Sequence, residues 1–228
     1  VPPSYRGREQ AWIKHQLLES YLEKLMLIVG MAAKRQGTIE ICYVDCFSGP
    51  WGTSELESTS IAVSLRTMAK CRQKLAELGV TASMRALYIE RDDEAFGNLE
   101  RYLDSATPDT VSAKCFHGDF VDLREQILTW SGRDAFTFFF IDPKGWKSIG
   151  IEKLRPLLQR PRSEFLINFI YDFIKRTASM AEWQSDIAEF LGVSIGAVQE
   201  LEHHSPQDRE EKLLGHYRSS LKAALPPQ

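Results

Sequence analysis

The sequence has few of the features that mark membrane proteins, disulfide scaffolds or metal sites. Among its 228 residues, no apolar run approaches the roughly 20 residues that a membrane span needs, and we expect no signal peptide at its start. The cysteines are Cys42, Cys46, Cys71 and Cys115, and no two of them form a CxxC pair. We therefore interpret them as reduced core thiols of a cytoplasmic protein, and we expect no metal site.

Signatures of several enzyme classes are also missing. No GxxxxGK[ST] occurs, which excludes a P-loop nucleotide site, and no GxSxG occurs, which argues against a Ser-His-Asp hydrolase. Of the five histidines, only His117 is predicted near the end of a strand, where a surface or helix-capping role is common. The net charge of −3 gives no sign of a nucleic-acid binder, so any such binding depends on a local patch.

Predicted strands and helices alternate along most of the chain. A long helix is predicted over residues 11–36, where apolar residues recur at helical spacing before Gly37. The strands are predicted at 38–45, 83–90, 110–119, 135–142 and 163–171, with helices between them. This alternation predicts an α/β fold, a doubly wound, mostly parallel Rossmann-like sheet. We assign this domain to residues 1–176 and expect residues 177–228 to be a helical extension of it.

The first four predicted strands each lead into an acidic residue. These residues are Asp45, Glu90, Asp119 and Asp142. Open parallel sheets bind ligands outside the carboxyl ends of their strands, so the four carboxylates are expected to meet at one rim. A single acid at a strand end is common because Asp often begins a helix, but four in succession favour a ligand site.

The rim favours S-adenosylmethionine over a dinucleotide. Either ligand has a ribose whose hydroxyls a carboxylate after the second strand can accept. A dinucleotide needs G-x-G-x-x-G, whereas the first turn reads DCFSGPWG, in which Pro50 lacks an amide donor. Carboxylates also repel a pyrophosphate but suit a sulfonium cation, and Asp45 suits the ammonium of a methionine or a bound water. An NAD-type oxidoreductase is therefore the weaker alternative.

Five segments in order resemble the three-Cys-motif partner (TcmP) proteins. The segments are WIKHQLLESYL, YVDCFSGPWG, LYIERDD, FFFIDPKGW and EFLINFIYDFIKR, and the resemblance covers roughly residues 11–176. It implies a class I methyltransferase fold that binds S-adenosylmethionine. It also implies a partner protein that carries the naming cysteine motif, so the scattered cysteines of this chain are not that motif.

The resemblance implies the following cofactor residues: Lys14, His15, Asp45, Phe47, Ser48, Gly49, Glu90, Asp119 and Phe120. Residues 45–49 match methyltransferase motif I, Glu90 the ribose acid, and residues 119–120 the pair that contacts adenine. Lys14 and His15 match a helix that closes over the cofactor in adenine-N6 methyltransferases. The chain departs from the pattern where Ser58, Thr59 and Ser60 replace a Gly-Ser-Pro.

A class I methyltransferase also ends in a β-hairpin, and no strands are predicted after Tyr171. We expect either that the sequence stops short of this hairpin or that its numbering closes over missing segments.

Asp142 and Pro143 match motif IV, beside the transferred methyl group. In methyltransferases that act on a base amine, the acid and the proline carbonyl accept hydrogen bonds from the amine, and an aromatic ring stacks on the flipped base. Trp146 is the candidate ring, or else it packs on the next helix. Lys144 stands where a second proline is usual, and where carbon-5 cytosine methylation needs a cysteine, so that chemistry is not expected.

Basic residues follow motif IV and favour a nucleic-acid substrate. Lys144, Lys147, Lys175 and Arg176 are the candidate phosphate contacts, and the alternative is a solvated helix face. Residues 187–201 have the spacing of a helix-turn-helix motif, a pattern that also arises in helical subdomains. We predict a methyltransferase that acts on an exocyclic amine of a nucleic-acid base. The alternative is a non-catalytic subunit of this fold that binds another enzyme or nucleic acid.

Overall fold

A computed structural model describes residues 1–2, 5–49, 58–169, 171, 174, 177 and 180–226. Within this part, the chain divides into two compact units. The first contains residues 1–140 and 162–166, and the second contains residues 141–161 and 167–228. The predicted boundary between residues 176 and 177 falls in a stretch of which few residues are described, and it stays a prediction.

The sheet of the first unit has five strands, and it is parallel, as predicted. They are β1 Thr38–Asp45, β2 Thr81–Glu90, β3 Ser112–His117, β4 Phe136–Ile141 and β5 Ser163–Ile167, in the spatial order β3-β2-β1-β4-β5. The chain begins in the middle of the sheet, builds outward to β3, and then returns to the other side of β1. The order therefore reverses between β1 and β4, which is the place where open α/β sheets bind ligands.

Both faces of the central strands are buried. In β1, Ile41 and Tyr43 belong to one apolar core with α-helical residues, while the alternating Cys42 and Val44 are also fully buried. A strand that is covered on both sides needs apolar residues at every position rather than at every second one. This explains why β4, which lies between β1 and β5, is apolar at every position except Thr137.

Four helices of the first unit cover the sheet or connect its strands. They are α1 Glu9–Ala32, α2 Ser60–Glu77, α3 Asp93–Ala106 and α4 Arg124–Ser131. The hydroxyl of Thr59 and the carboxylate of Asp92 accept hydrogen bonds from the first turns of α2 and α3. α1 ends four residues before the predicted position 36, and Gly37 turns the chain into β1 with a φ of 74°.

The second unit is helical in its described part. Its helices are α5 Ile151–Leu158, α6 Ala181–Leu191, α7 Ile195–Glu200 and α8 Pro206–Ala224, with a short 3₁₀ turn at Trp146–Ile149. Gly192 ends α6 in the left-handed region, and the hydroxyl of Ser194 caps α7. No strand follows β5 among the described residues, as the sequence led us to expect.

Candidate functional site

Asp45 orders the turn after β1. Its side chain is fully buried, and Oδ1 accepts a hydrogen bond from the amide of Phe47 at 3.1 Å. Oδ2 accepts one from the hydroxyl of Ser60, at the start of α2, at 2.9 Å. We expected Asp45 to face the ammonium of a methionine, but the carboxylate instead ties the turn to α2. Burial and this carboxylate raise the pKa of Cys46 well above its usual range, which makes this thiol a poor nucleophile.

Ser48 joins the same turn to β2. Its amide donates to the carbonyl of Ile89 at 2.9 Å, and its hydroxyl accepts from the amide of Ile89 at 3.1 Å. These two bonds hold the next residue, Gly49, against the end of β2. A Cβ built on Gly49 would lie 1.6 Å from Oε2 of Glu90, so only glycine allows the backbone to pass there.

Glu90 is the best candidate for a ligand-binding acid. Its side chain is 8% exposed, and Oε1 accepts hydrogen bonds from the amides of Arg91 at 2.8 Å and Asp92 at 2.9 Å. Oε2 accepts no hydrogen bond from any described residue. An acceptor oxygen without a donor from the described residues, at the end of β2 and beside Gly49, can accept a hydrogen bond from a ligand hydroxyl.

Asp119 and Phe120 lie beyond the end of β3. Oδ1 of Asp119 accepts from the amide of Val121 at 2.8 Å, and Oδ2 lies 3.9 Å from the guanidinium of Arg91. The ring of Phe120 is buried and contacts that of Phe47, with 5.3 Å between their centroids. The turns after β1 and β3 thus meet through two aromatic rings, of which the ring of Phe47 is half-buried and can contact a flat base.

His15 is held by the start of the chain. It is buried on the inner face of α1, and its Nδ1 lies 3.0 Å from the hydroxyl of Tyr5. Arg8 donates to the hydroxyl and the carbonyl of Ser58 at 3.2 and 3.3 Å, so residues before α1 contact those before α2. The structure therefore gives His15 a role in anchoring this segment. Lys14 is half-buried, and its assignment to the cofactor stays a prediction.

The residues at this edge fit S-adenosylmethionine better than a dinucleotide. Oε2 of Glu90 offers the acceptor that a ribose hydroxyl needs. The half-buried ring of Phe47, which packs on the buried ring of Phe120, offers an apolar contact for adenine. The side chains of Asp45, Glu90 and Asp119 are anionic and would repel a pyrophosphate.

Asp142 and Pro143 directly follow β4, in the second unit. Oδ1 of Asp142 accepts a hydrogen bond from Nδ2 of Asn168 at 2.7 Å. Asp142 is half-buried and Pro143 is buried. The acid and the proline thus occupy a strand end, where their acceptor oxygens can serve a substrate amine.

Trp146 lies in a buried aromatic cluster. It is 5% exposed, and its ring meets those of Trp183 and Phe190 edge-on, with centroid distances of 6.3 and 5.4 Å. The expectation that Trp146 stacks on a substrate base is therefore corrected in favour of the packing alternative. A ring that is buried on helix α6 has no open face for a base.

Most of the basic residues near motif IV already have partners. Lys147 pairs with Asp186 at 2.7 Å and lies over the ring of Trp183, and Arg155 pairs with Glu152 on its own helix. Lys144 is exposed. The predicted contacts Lys175 and Arg176 lie outside the described residues, as do residues 50–57 of the first turn. Two of the described cations, Lys147 and Arg155, are thus paired with carboxylates.

The helix-turn-helix spacing corresponds to α6, a short turn and α7. Helix α7 has six residues, IGAVQE, and carries no Lys or Arg. Gln199 is its amide donor, and the interpretation of this segment as a helical subdomain or as a DNA reader stays open.

Two residues that matter here were missed by the sequence analysis. Ser60 was noted only as part of the departure from Gly-Ser-Pro, although it donates to Asp45. Asn168 was read as part of the fifth strand, although it donates to Asp142. Only the position of Asn168 beside a strand end could have suggested its role, because no local motif marks an amide that bonds across 26 residues.

The described residues include all four cysteines, and none of them forms a disulfide. Within these residues, no group of three or more His, Cys, Asp or Glu side chains is suited to a metal ion. No described helix has the length and the apolar character that crossing a membrane requires.

Comparison with known proteins gives one weak likeness. No model of a protein family and no curated protein matches the chain. The chain is similar to a solved structure described as "Loganic acid methyltransferase with SAH", with a TM-score of 0.35 and 10% identity over 90% of this chain and 72% of that chain. A likeness at this level does not indicate a function for this chain. The chain is a Rossmann-like α/β protein with a five-stranded parallel sheet.

Proposed function

We propose that the protein is an S-adenosylmethionine-dependent methyltransferase that acts on an exocyclic amine of a nucleic-acid base. The observation that carries the proposal is Glu90, which is 8% exposed and whose Oε2 accepts no bond from the described residues while its Oε1 accepts two amides. Such an oxygen at the end of β2 suits a ribose hydroxyl. The strand order and the acids after β1 and β3 support the same class of ligand.

The residues after β1, β2 and β3 would hold the cofactor. Glu90 would accept from the ribose, and the ring of Phe47, supported by the buried Phe120, would contact the adenine. Asp45 and Ser48 keep the turn in place for them. The cofactor supplies a methyl group on a sulfonium cation. Orientation and a water-poor setting are the protein's contribution to such a transfer.

Asp142 and Pro143, which follow β4, would supply acceptors for the substrate amine. The carboxylate of Asp142 and the carbonyl of Pro143 would accept hydrogen bonds from its two N–H groups and direct its lone pair. The lone pair of the nitrogen would form the new N–C bond as the C–S bond breaks with its electron pair left on sulfur. The surplus proton would then leave the nitrogen for solvent. The exposed cation of Lys144 is available for a phosphate.

Calorimetry with S-adenosylmethionine and S-adenosylhomocysteine tests the cofactor assignment. Hydrogen bonds to a charged group contribute about 1.5–3 kcal/mol each, so Glu90→Ala should weaken binding by about 10- to 100-fold. Glu94→Gln is the matched control, because Glu94 is exposed on the next helix. If neither compound binds the wild-type protein, or if Glu90→Ala binds them as tightly as the control does, the proposal is wrong.

Transfer of a radiolabelled methyl group to separate DNA, RNA and protein pools tests the substrate class. Label in a nucleic acid, lost on Asp142→Ala, supports the proposal. Label in the protein pool alone would reject the nucleic-acid assignment but would still support methyltransferase activity.

Because the cysteines form no disulfide, a reducing compartment such as the cytoplasm is the setting we propose.

The second candidate function is a non-catalytic subunit that binds a partner protein, such as one with a cysteine motif. It is favoured by the burial of Trp146 and by the pairing of Lys147, since both lack the exposure that a bound base requires. Cofactor binding without methyl transfer to any pool, together with a stable complex with such a partner, would favour this candidate.

A further inference from the structure

Asn168 holds the end of β4 at two points. It directly follows β5, and its backbone amide donates to the carbonyl of Ile141 at 2.8 Å. Its side-chain Nδ2 donates to Oδ1 of the next residue, Asp142, at 2.7 Å. One residue thus continues the strand pairing and also binds the carboxylate that follows the strand.

The two contacts fix the carboxylate of Asp142 more firmly than either would alone. A half-buried aspartate at a strand end can adopt several rotamers, and a bond from a backbone-anchored donor favours one of them. The bond is charge-assisted and therefore stronger than one between neutral groups. Because an amide has one donating end, only Nδ2 can face the carboxylate, and the opposite orientation would bring two acceptor oxygens together.

We infer that Asn168 is a positioning residue for Asp142. By fixing Oδ1, it sets the plane of the carboxylate and hence the direction from which a donating group, such as an amine, can approach. Pro143 restricts the backbone on the other side of Asp142 through its fixed φ. The inference rests on the proposed function, in which Asp142 accepts from the substrate amine, and it adds a residue that no motif in the sequence indicates.

The first test uses a spectroscopic signal and needs no substrate. In the ¹⁵N-labelled protein, the side-chain amide protons of Asn168 should resonate downfield of those of Asn98, which lies half-buried on α3 and whose Oδ1 accepts a hydrogen bond from Arg101. Asp142→Ala should move the Asn168 signals upfield and leave those of Asn98 in place. If the Asn168 signals do not respond, the contact does not hold Asp142 and the inference is wrong.

The second test measures methyl transfer from radiolabelled S-adenosylmethionine to the pool that accepts label. Asn168→Ala and Asn168→Asp should lower kcat by about 10- to 100-fold, and Asn168→Asp more, because it places a second anion beside Asp142. In both variants, the dissociation constant for S-adenosylmethionine should stay within about twofold of the wild-type value. In the control Asn98→Ala, kcat and this dissociation constant should both stay within about twofold of the wild-type values.

A structural role alone would predict a different pattern, in which stability and cofactor affinity fall together with kcat. The double variant Asp142→Asn with Asn168→Asp restores the hydrogen bond in the opposite sense but moves the charge. This double variant should unfold with the same free energy as the wild type, but its kcat should stay below that of the wild type. An unchanged kcat in Asn168→Ala overturns the inference. Absence of cofactor binding by the wild-type protein would instead contradict the proposed function, so the two failures are distinguishable.

Discussion

Substitution of Gly49 tests the geometry of the candidate cofactor turn most directly. In Gly49→Ala, the new Cβ would lie 1.6 Å from Oε2, 2.6 Å from Cδ and 3.3 Å from Oε1 of Glu90. Carbon and oxygen atoms do not approach this closely, so either the carboxylate or the turn must move. Neither can move without loss, because Glu90 is held by two backbone amides and the turn by the two bonds between Ser48 and Ile89.

The cost of Gly49→Ala follows from those bonds. If the carboxylate rotates away, it loses the amides of Arg91 and Asp92, and hydrogen bonds to a charged group contribute about 1.5–3 kcal/mol each. We therefore expect the free energy of unfolding to fall by about 3–5 kcal/mol. For a chain of this size, this corresponds to a Tm lower by about 6–20 °C. The affinity for S-adenosylmethionine should fall by at least about tenfold, because Glu90 would no longer face the ribose.

Denaturant unfolding, followed by circular dichroism, and calorimetry of cofactor binding measure the two effects. Gly97→Ala is the matched control, because no atom lies within 4 Å of the added Cβ and the residue is inside α3. Alanine is favoured over glycine in a helix by about 1 kcal/mol, so the control should be slightly more stable than the wild type. A Gly49→Ala protein with the stability and the cofactor affinity of the wild type would refute the reasoning.

Three further predictions concern other parts of the chain. Ser60→Ala removes a donor from the buried carboxylate of Asp45 and should lower the free energy of unfolding by about 1–3 kcal/mol in denaturant titration, whereas Ser20→Ala, on the surface of α1, should not change it. Burial raises the pKa of Cys115 to about 11, so its alkylation by iodoacetamide, followed by mass spectrometry, should be slow at pH 8 and rise about tenfold per pH unit; rapid reaction at pH 8 would contradict this. Trp146→Ala should lower the free energy of unfolding by about 3–5 kcal/mol through the cavity it leaves, and loss of methyl transfer at full stability would instead support a stacking role.

The sheet could be predicted from the sequence because its strands are long, apolar and separated by clear helical segments. β4 has no polar residue except Thr137, and such a run fits only the interior of a parallel sheet. The last residues of the strands were predicted less well, since β3 was expected to reach residue 119. β3 stops at His117 because Gly118 has a φ of 144°, a conformation that favours glycine and turns the chain out of the sheet.

The substrate side was predicted less well, because its residues depend on contacts that lie far apart in the sequence. Trp146 follows motif IV closely, and so it was expected near the substrate, yet Trp183 and Phe190 from α6 bury it. Lys147 was expected to bind phosphate, yet Asp186 of the same helix neutralises it. A local pattern gives the types of residue near a strand end, but the distant helix decides which of them faces solvent.

The acids at the strand ends show how position and role separate. Asp45 and Glu90 both end a buried strand, and the sequence predicts the same kind of role for both. Asp45 is fully buried and both of its oxygens bind the protein, whereas Glu90 directs Oε1 alone to the backbone. A carboxylate whose oxygens are both bound by the chain contributes to the fold, and one with an oxygen left over can recognise a ligand. Counting donors around each oxygen therefore distinguishes the two acids, and it makes Glu90 the residue on which the cofactor assignment depends.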